Sequence, residues 1–208
     1  MEKITDISRE GLTIQKLLQL FLLLFPANNT ALAKVDDFSS LDIAEINKQF
    51  WLEIKGVILD IDECVAPHHG EILPENIEAI KCLQRQVRIL VFSNIKKTDR
   101  YAELEELGIR VHLSRYAKPD PRGFEECCAE LSMQSNEVLM IGDNFMTDGG
   151  AVRAGCHFAK VKPITTDEKW HKKLRRLPQI ASRKYAEIIS DLYDVIFNRK
   201  ILKDIDFI

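Results

Sequence analysis

The sequence has no CxxC pair. Cys64, Cys82, Cys127, Cys128 and Cys156 are scattered over 208 residues, and an odd cysteine count in a chain of this length is no disulfide framework. A reducing, cytoplasmic setting is the simpler expectation. Charge of one sign is also missing: 29 basic against 32 acidic residues leave a net charge of -3, which excludes a global attraction to nucleic acid. The apolar run Leu17 to Phe25 is too short to span a bilayer. With Ala31-Leu32-Ala33 behind it, the run has the outline of a signal peptide. The residues before it, however, carry as many acids (Glu2, Asp6, Glu10) as bases (Lys3, Arg9, Lys16). A buried or amphipathic N-terminal helix and a helix docking on a membrane surface are the other two readings. No internal repeat or low-complexity stretch interrupts the chain.

What is present is an ordinary globular balance, 46% hydrophobic and 29% charged, enough for one domain with a single core and a small appendage. Residues 1–50 read as a helical N-terminal arm, 51–165 as a catalytic core and 166–208 as a helical C-terminal extension. Within the core, apolar runs alternate with helical patterns. Strands are predicted at 56–59, 88–92, 109–113, 137–141 and 157–161. Helices are predicted from Pro74, from a Thr98 or Asp99 cap to Leu107, from Arg122 to Leu131 and from Met146 to Ala154. Gly108 and Gly155 stop two of them. Repeated strand–helix units imply a doubly wound, Rossmann-like parallel sheet with helices on both faces, an α/β fold. In the tail, Ile188, Leu192, Val195 and Ile196 form one apolar stripe.

Chemistry-bearing residues stand just after the apolar runs, where an open α/β sheet presents its ligand crevice. Asp60 and Asp62 are two apart, so in extended backbone both side chains point the same way. Asp60 is placed to attack phosphorus and Asp62 to act as general acid and then base. Taken alone, the pair is equally well an acidic surface loop. Asp143 and Asp148, five apart across a strand-to-helix turn, would join Asp60 and Asp62 in supplying oxygens for Mg2+. Taken alone, Asp143 is a helix cap. Ser93 and Asn94 can bond phosphoryl oxygens, or merely shape a turn. Lys118 can neutralise phosphoryl charge, or be one more solvated lysine. Their shared strand-end placement and order favour use together. Three acids beside a phosphate would repel it, so this reading requires a cation.

Asp60-Ile61-Asp62, Ser93, Lys118 and Gly142-Asp143 with Asp148 match, in order, the four motifs of the haloacid dehalogenase-like (HAD) hydrolase superfamily, which the chain resembles from about Lys55 to Pro163. The resemblance implies a HAD-like fold, with Asp60 as nucleophile, Asp62 as general acid/base, Ser93 and Lys118 on the phosphoryl group, and Asp143 with Asp148 at Mg2+. More narrowly, Ile54 to Asp62, Ala117-Lys118-Pro119 and Gly142 to Asp148 look like the IIIA-type YqeG subgroup, which includes phosphatidylglycerophosphate phosphatases. Cys64 stands where that family usually has Thr, and a thiol is a weaker hydrogen-bond partner than a hydroxyl.

Spacing bears on the substrate. The 30 residues between Asp62 and Ser93, and the 24 between Ser93 and Lys118, leave no room for a cap domain. The expected site is therefore capless and open, with only a Glu63 to Ile72 flap. A large phosphorylated substrate fits such a site, a lipid head group first. The alternatives are protein, nucleotide or sugar phosphates, or a catalytically weak binding module that kept the fold. His68 and His69 in the flap read as solvated loop residues, Arg153 as a surface ion-pair residue, and Cys127-Cys128 as small core fillers. The basic cluster Lys169, Lys172, Lys173, Arg175 and Arg176 is either a solvated helix face or a contact for anionic lipid, so peripheral membrane contact is one expectation.

Overall fold

The computed structural model of the chain describes residues 14–94, 101–165 and 170–203, with the helical stretch 170–176 described by its backbone alone. The Thr98 and Asp99 cap lies outside the described residues, as do Lys169 and the side chains of Lys172, Lys173, Arg175 and Arg176.

A seven-stranded, all-parallel sheet organises the molecule. Its strands are β1 (Ala33–Val35), β2 (Gly56–Leu59), β3 (Arg88–Val91), β4 (Arg110–Val111), β5 (Val138–Gly142), β6 (His157–Val161) and β7 (Leu202–Lys203), in the order β4-β3-β2-β5-β6-β1-β7. All residues of β2 and β5 are buried, as expected for strands covered on both faces. Side chains alternate across the sheet and split the core in two. Val57, Leu59, Val91, Leu139 and Ile141 enter one cluster, and Ile58, Leu90, Phe92, Met140 and Phe158 the other.

Helices α1 (Ile14–Leu22), α2 (Ile43–Phe50), α3 (Pro74–Gln84), α4 (Ala102–Glu106), α5 (Pro121–Leu131), α6 (Gly150–Arg153) and α7 (Trp170–Ile196) surround the sheet. Pro74 and Pro121 open α3 and α5 at early positions, where the missing N–H costs nothing. Register matters most for function: Leu59 pairs with both Val91 and Ile141, so the strands β3, β2 and β5 end level with one another. Chain order reverses between β3 and β5 around β2, which is where open α/β sheets open a crevice.

Several elements differ from the sequence reading. The arm and the tail each supply a strand besides their helices, β1 and β7, which pair with each other and extend the sheet beyond β6. Strands of three and two residues carry too little alternation to be read locally. β4 ends at Val111, and the exposed Leu113 lies beyond it. The helix expected from Met146 shrinks to Gly150–Arg153, because 145–149 is taken up by a turn in which Asp148 N–H donates to the Asn144 carbonyl.

Helices α1 and α7 are packed the unexpected way round. α1 buries Lys16 and Gln19 while Ile14, Leu17, Leu18 and Phe21 are exposed. α7 buries Ser182, Ala186 and Ser190, while the stripe Ile188, Leu192, Val195 and Ile196 faces outward, Val195 at 80% exposure. Small residues four apart let α7 lie close on the core, which turns its bulky row to the outside. Of the Leu17 to Phe25 run, Gln19 and Leu23 are fully buried and no other residue is. The two exposed rows adjoin where Tyr193 Oη donates to the Leu24 carbonyl and Arg199 donates to the Pro26 carbonyl at 2.7 Å. No helix among the described residues is long and apolar enough to cross a membrane.

Candidate active site

Asp60 follows β2 directly, and its amide donates to the Ile141 carbonyl at 2.9 Å, which ties it to the neighbouring strand end. Its Oδ1 accepts the Ile61 N–H at 3.0 Å and lies 2.8 Å from Lys118 Nζ. The same ammonium reaches Asp148 Oδ1 at 2.6 Å, so one buried lysine bridges two carboxylates. Asn94 holds that lysine's backbone from both sides. Lys118 N–H donates to Asn94 Oδ1 at 2.9 Å, and Asn94 Nδ2 donates to the Lys118 carbonyl at 3.2 Å. Ser93 is buried at the end of β3.

The Gly142-Asp143 turn brings the other acids. A Cβ on Gly142 would lie 2.4 Å from Asp148 Cγ, so glycine there is what allows Asp148 beneath the strand end. Asp148 Oδ2 accepts the Asn144 N–H at 3.1 Å, and Asn144 Oδ1 accepts the Met146 N–H at 3.0 Å. Asp143 is not a helix cap, since no side chain caps α6. Oxygens of Asp60, Asp143 and Asp148 lie within 4.8 Å of one another, all three residues buried. Asp62 stands outside this trio. It is half-buried, and its Oδ1 accepts the His69 N–H at 2.8 Å across the flap.

The loop after Asp60 is tightly wound. The amides of Cys64, Val65 and Ala66 all converge on the Ile61 carbonyl, and Glu63 takes a left-handed φ of 63°. Cys64 is fully buried there, and burial, with Asp60, Asp143 and Asp148 nearby, pushes its thiol well above the ordinary value. The flap is short and braced, because Asn76 Nδ2 donates to the Val65 carbonyl at 2.9 Å.

One participant escaped the sequence reading. Arg183 of α7 reaches the site from the far end of the chain, pairing with Glu63 and lying 3.2 Å from Asp143 Oδ2. Nothing in the local pattern of a basic helix singles it out.

Electrostatics follow from burial. Burial pushes the carboxyl of Asp60 well above the ordinary range, and Lys118 only partly offsets this. Burial likewise raises Asp143, to about 7, against the opposing pull of Arg183. For Lys118, burial works against the charge, but Asp148 and Asp60 outweigh it and the ammonium is held above its ordinary value. The trio fits a hard divalent cation. Carboxylate oxygens converge, and Asp143 Oδ2 is buried without accepting a hydrogen bond, Arg183 being close but poorly aligned. Arg183 supplies charge there but no aligned donor, so the oxygen keeps acceptor capacity that a metal ion could use.

A sequence profile of the haloacid dehalogenase-like hydrolases matches residues 23–155. Among solved structures, the cobalt-bound deoxy-D-mannose-octulosonate 8-phosphate phosphatase of Haemophilus influenzae is 14% identical at a TM-score of 0.43, with 71% of this chain and 91% of that chain covered. The D,D-heptose 1,7-bisphosphate phosphatase of B. bronchiseptica, complexed with magnesium and phosphate, is 16% identical at a TM-score of 0.43, covering 50% and 79%. An uncharacterized protein from Listeria monocytogenes serotype 4b is 22% identical at 0.42, covering 56% and 84%. No curated protein matches significantly. The profile spans more than half of the 208 residues, and this chain belongs to the haloacid dehalogenase-like hydrolases.

Proposed function

We propose that the chain is a Mg2+-dependent phosphomonoester hydrolase working through an aspartyl-phosphate on Asp60. The observation that carries this is the Lys118 ammonium bridging Asp60 and Asp148, with Asp143 in the same buried group. The Asp60 carboxylate oxygen forms a bond to phosphorus as the bond from phosphorus to the alcohol oxygen breaks. Asp62 sits two residues on and nearer the mouth, and it gives that leaving oxygen its proton. The Asp62 carboxylate then takes a proton from water, which attacks the phosphorus; phosphate leaves and Asp60 is restored. Lys118 holds Asp60 in place and meets the phosphoryl charge, and Ser93 offers it a hydroxyl. Asp60, Asp143 and Asp148 would hold Mg2+, whose contribution when bound is to neutralise charge on the phosphoryl oxygens.

For the substrate, a lipid phosphomonoester of the phosphatidylglycerophosphate kind is the reading we favour, met at an anionic membrane surface from the cytoplasm. The outward apolar rows of α1 and α7 support it, since they leave Phe21 and Leu192 exposed where an interface would bury them. A panel of phosphomonoesters, with and without lipid phosphates in mixed micelles, tests the activity. Chelation and Asp60→Asn should each abolish turnover, and mass spectrometry of Asp62→Asn incubated with substrate should find phosphate on Asp60. Phosphate on another residue, or full turnover in chelator, would sink the mechanism. Anionic vesicles should co-sediment the wild-type chain at low salt and release Phe21→Glu and Leu192→Glu variants. A wild-type chain that stays in the supernatant would turn the substrate reading to a soluble phosphomonoester.

A further inference from the structure

We infer that Arg183, delivered by the last helix, is a positioning residue that sets the charge of the acidic pocket and so limits its affinity for a divalent cation. The inference rests on the metal-dependent reading above and deepens it. Its basis is an acid the mechanism does not use. Glu63 follows Asp62, is buried, and is fixed by its backbone: its N–H donates to the Ala66 carbonyl at 2.7 Å, and its carbonyl accepts the Ile164 N–H at 2.8 Å. Its carboxylate therefore stays inside, and a single nitrogen, Arg183 Nη1, touches both Glu63 and Asp143 Oδ2. The two carboxylates are neighbours with one guanidinium between them.

The charges can be counted. When ionised, Asp60, Glu63, Asp143 and Asp148 carry four negative charges, while Lys118 and Arg183 carry two positive ones. Among these described groups the acids outnumber the cations, an imbalance of the sign that a divalent cation offsets. Asp62, nearer solvent, is left out because water screens it. The two cations divide the work: Lys118 covers the Asp60 and Asp148 side, and Arg183 covers the Asp143 and Glu63 side. Without Arg183 the positive charge between Glu63 and Asp143 would be lost, and the pocket would be more negative by one unit. Binding would tighten, at the expense of the geometry that Asp143 is meant to keep.

Mn2+ titrated into the full chain, with free Mn2+ read by electron paramagnetic resonance, tests this without reference to turnover. Arg183→Gln should lower the Mn2+ Kd on the order of tenfold, since unit charges a few ångströms apart interact strongly at a part-buried site. Glu63→Gln should raise it by a similar factor. The double variant should return near the wild-type value, and Arg183→Lys, which keeps the charge, should stay close to it. Circular dichroism checks that each variant folds; if Arg183→Gln does not, the Glu63→Gln arm decides, and an unchanged Kd there overturns the inference. An Arg183→Gln chain that binds Mn2+ equally or more weakly also overturns it, while leaving the metal-dependent reading intact. A wild-type chain that binds no Mn2+ would remove that reading, and this inference with it.

Discussion

Asp143 offers a sharp test, because its carboxyl is fully enclosed and burial raises it to about 7. In the unfolded chain it titrates near the ordinary 3.8. A carboxyl whose folded value lies above its unfolded value contributes stability below the unfolded value and loses it as pH rises through the folded one. Without divalent cation, the chain should therefore become less stable between about pH 4 and pH 7, by on the order of 4 kcal/mol for this group alone. Asp60, raised by the same burial, acts in the same direction. Glu45, Asp120 and Glu137 have lowered values and work the other way, largely below pH 5, while His157, lowered by burial, offsets part of the loss as pH rises toward 6.5. Urea unfolding in chelator at pH 5 and pH 8 should thus show the lower stability at pH 8. Saturating Mg2+ should reverse the order, because a cation at the trio favours the ionised carboxylates. Asp143→Asn should make the chelator series shallower, since an amide does not titrate and only the Asp60 contribution of this kind remains. Equal stability at both pH values in chelator, or an Asp143→Asn series as steep as wild type, would refute the burial argument.

Other consequences are simpler. Lys118→Met removes the cation that bridges Asp60 and Asp148, and breaking a buried pair of this kind costs about 3–5 kcal/mol; urea unfolding should show a loss of that order, and turnover should vanish. Gly142→Ala would press a methyl to 2.4 Å from Asp148, so thermal unfolding should reveal a loss of about 1–3 kcal/mol together with weaker Mg2+ binding. Ca2+, which takes more ligands in looser geometry, should bind and inhibit turnover supported by Mg2+, as a competition assay would show.

Local order in the sequence determined much of this. Gly56-Val57-Ile58-Leu59 and Val138 to Ile141 are apolar throughout because both sheet faces are covered, and such runs announce buried strands from composition alone. Asp60, Ser93 and Asp143 follow strand ends, so a parallel sheet brings them together whatever the loops do. Lys118 is a weaker case: it lies well past the end of β4, and the exchange of hydrogen bonds with Asn94 is what carries it inward. Only the tertiary structure decided which faces of α1 and α7 are covered. Hydrophobic periodicity marks an apolar row, but the partner surface chooses between that row and Ser182, Ala186 and Ser190, and here close approach favoured the small residues. The strands β1 and β7 exist because distant segments pair, and neither carries a pattern long enough to read. Arg183 makes the same point for the site. It lies 120 residues from Glu63 along the chain, and a guanidinium on a basic helix looks solvated until the fold sets it between two buried carboxylates.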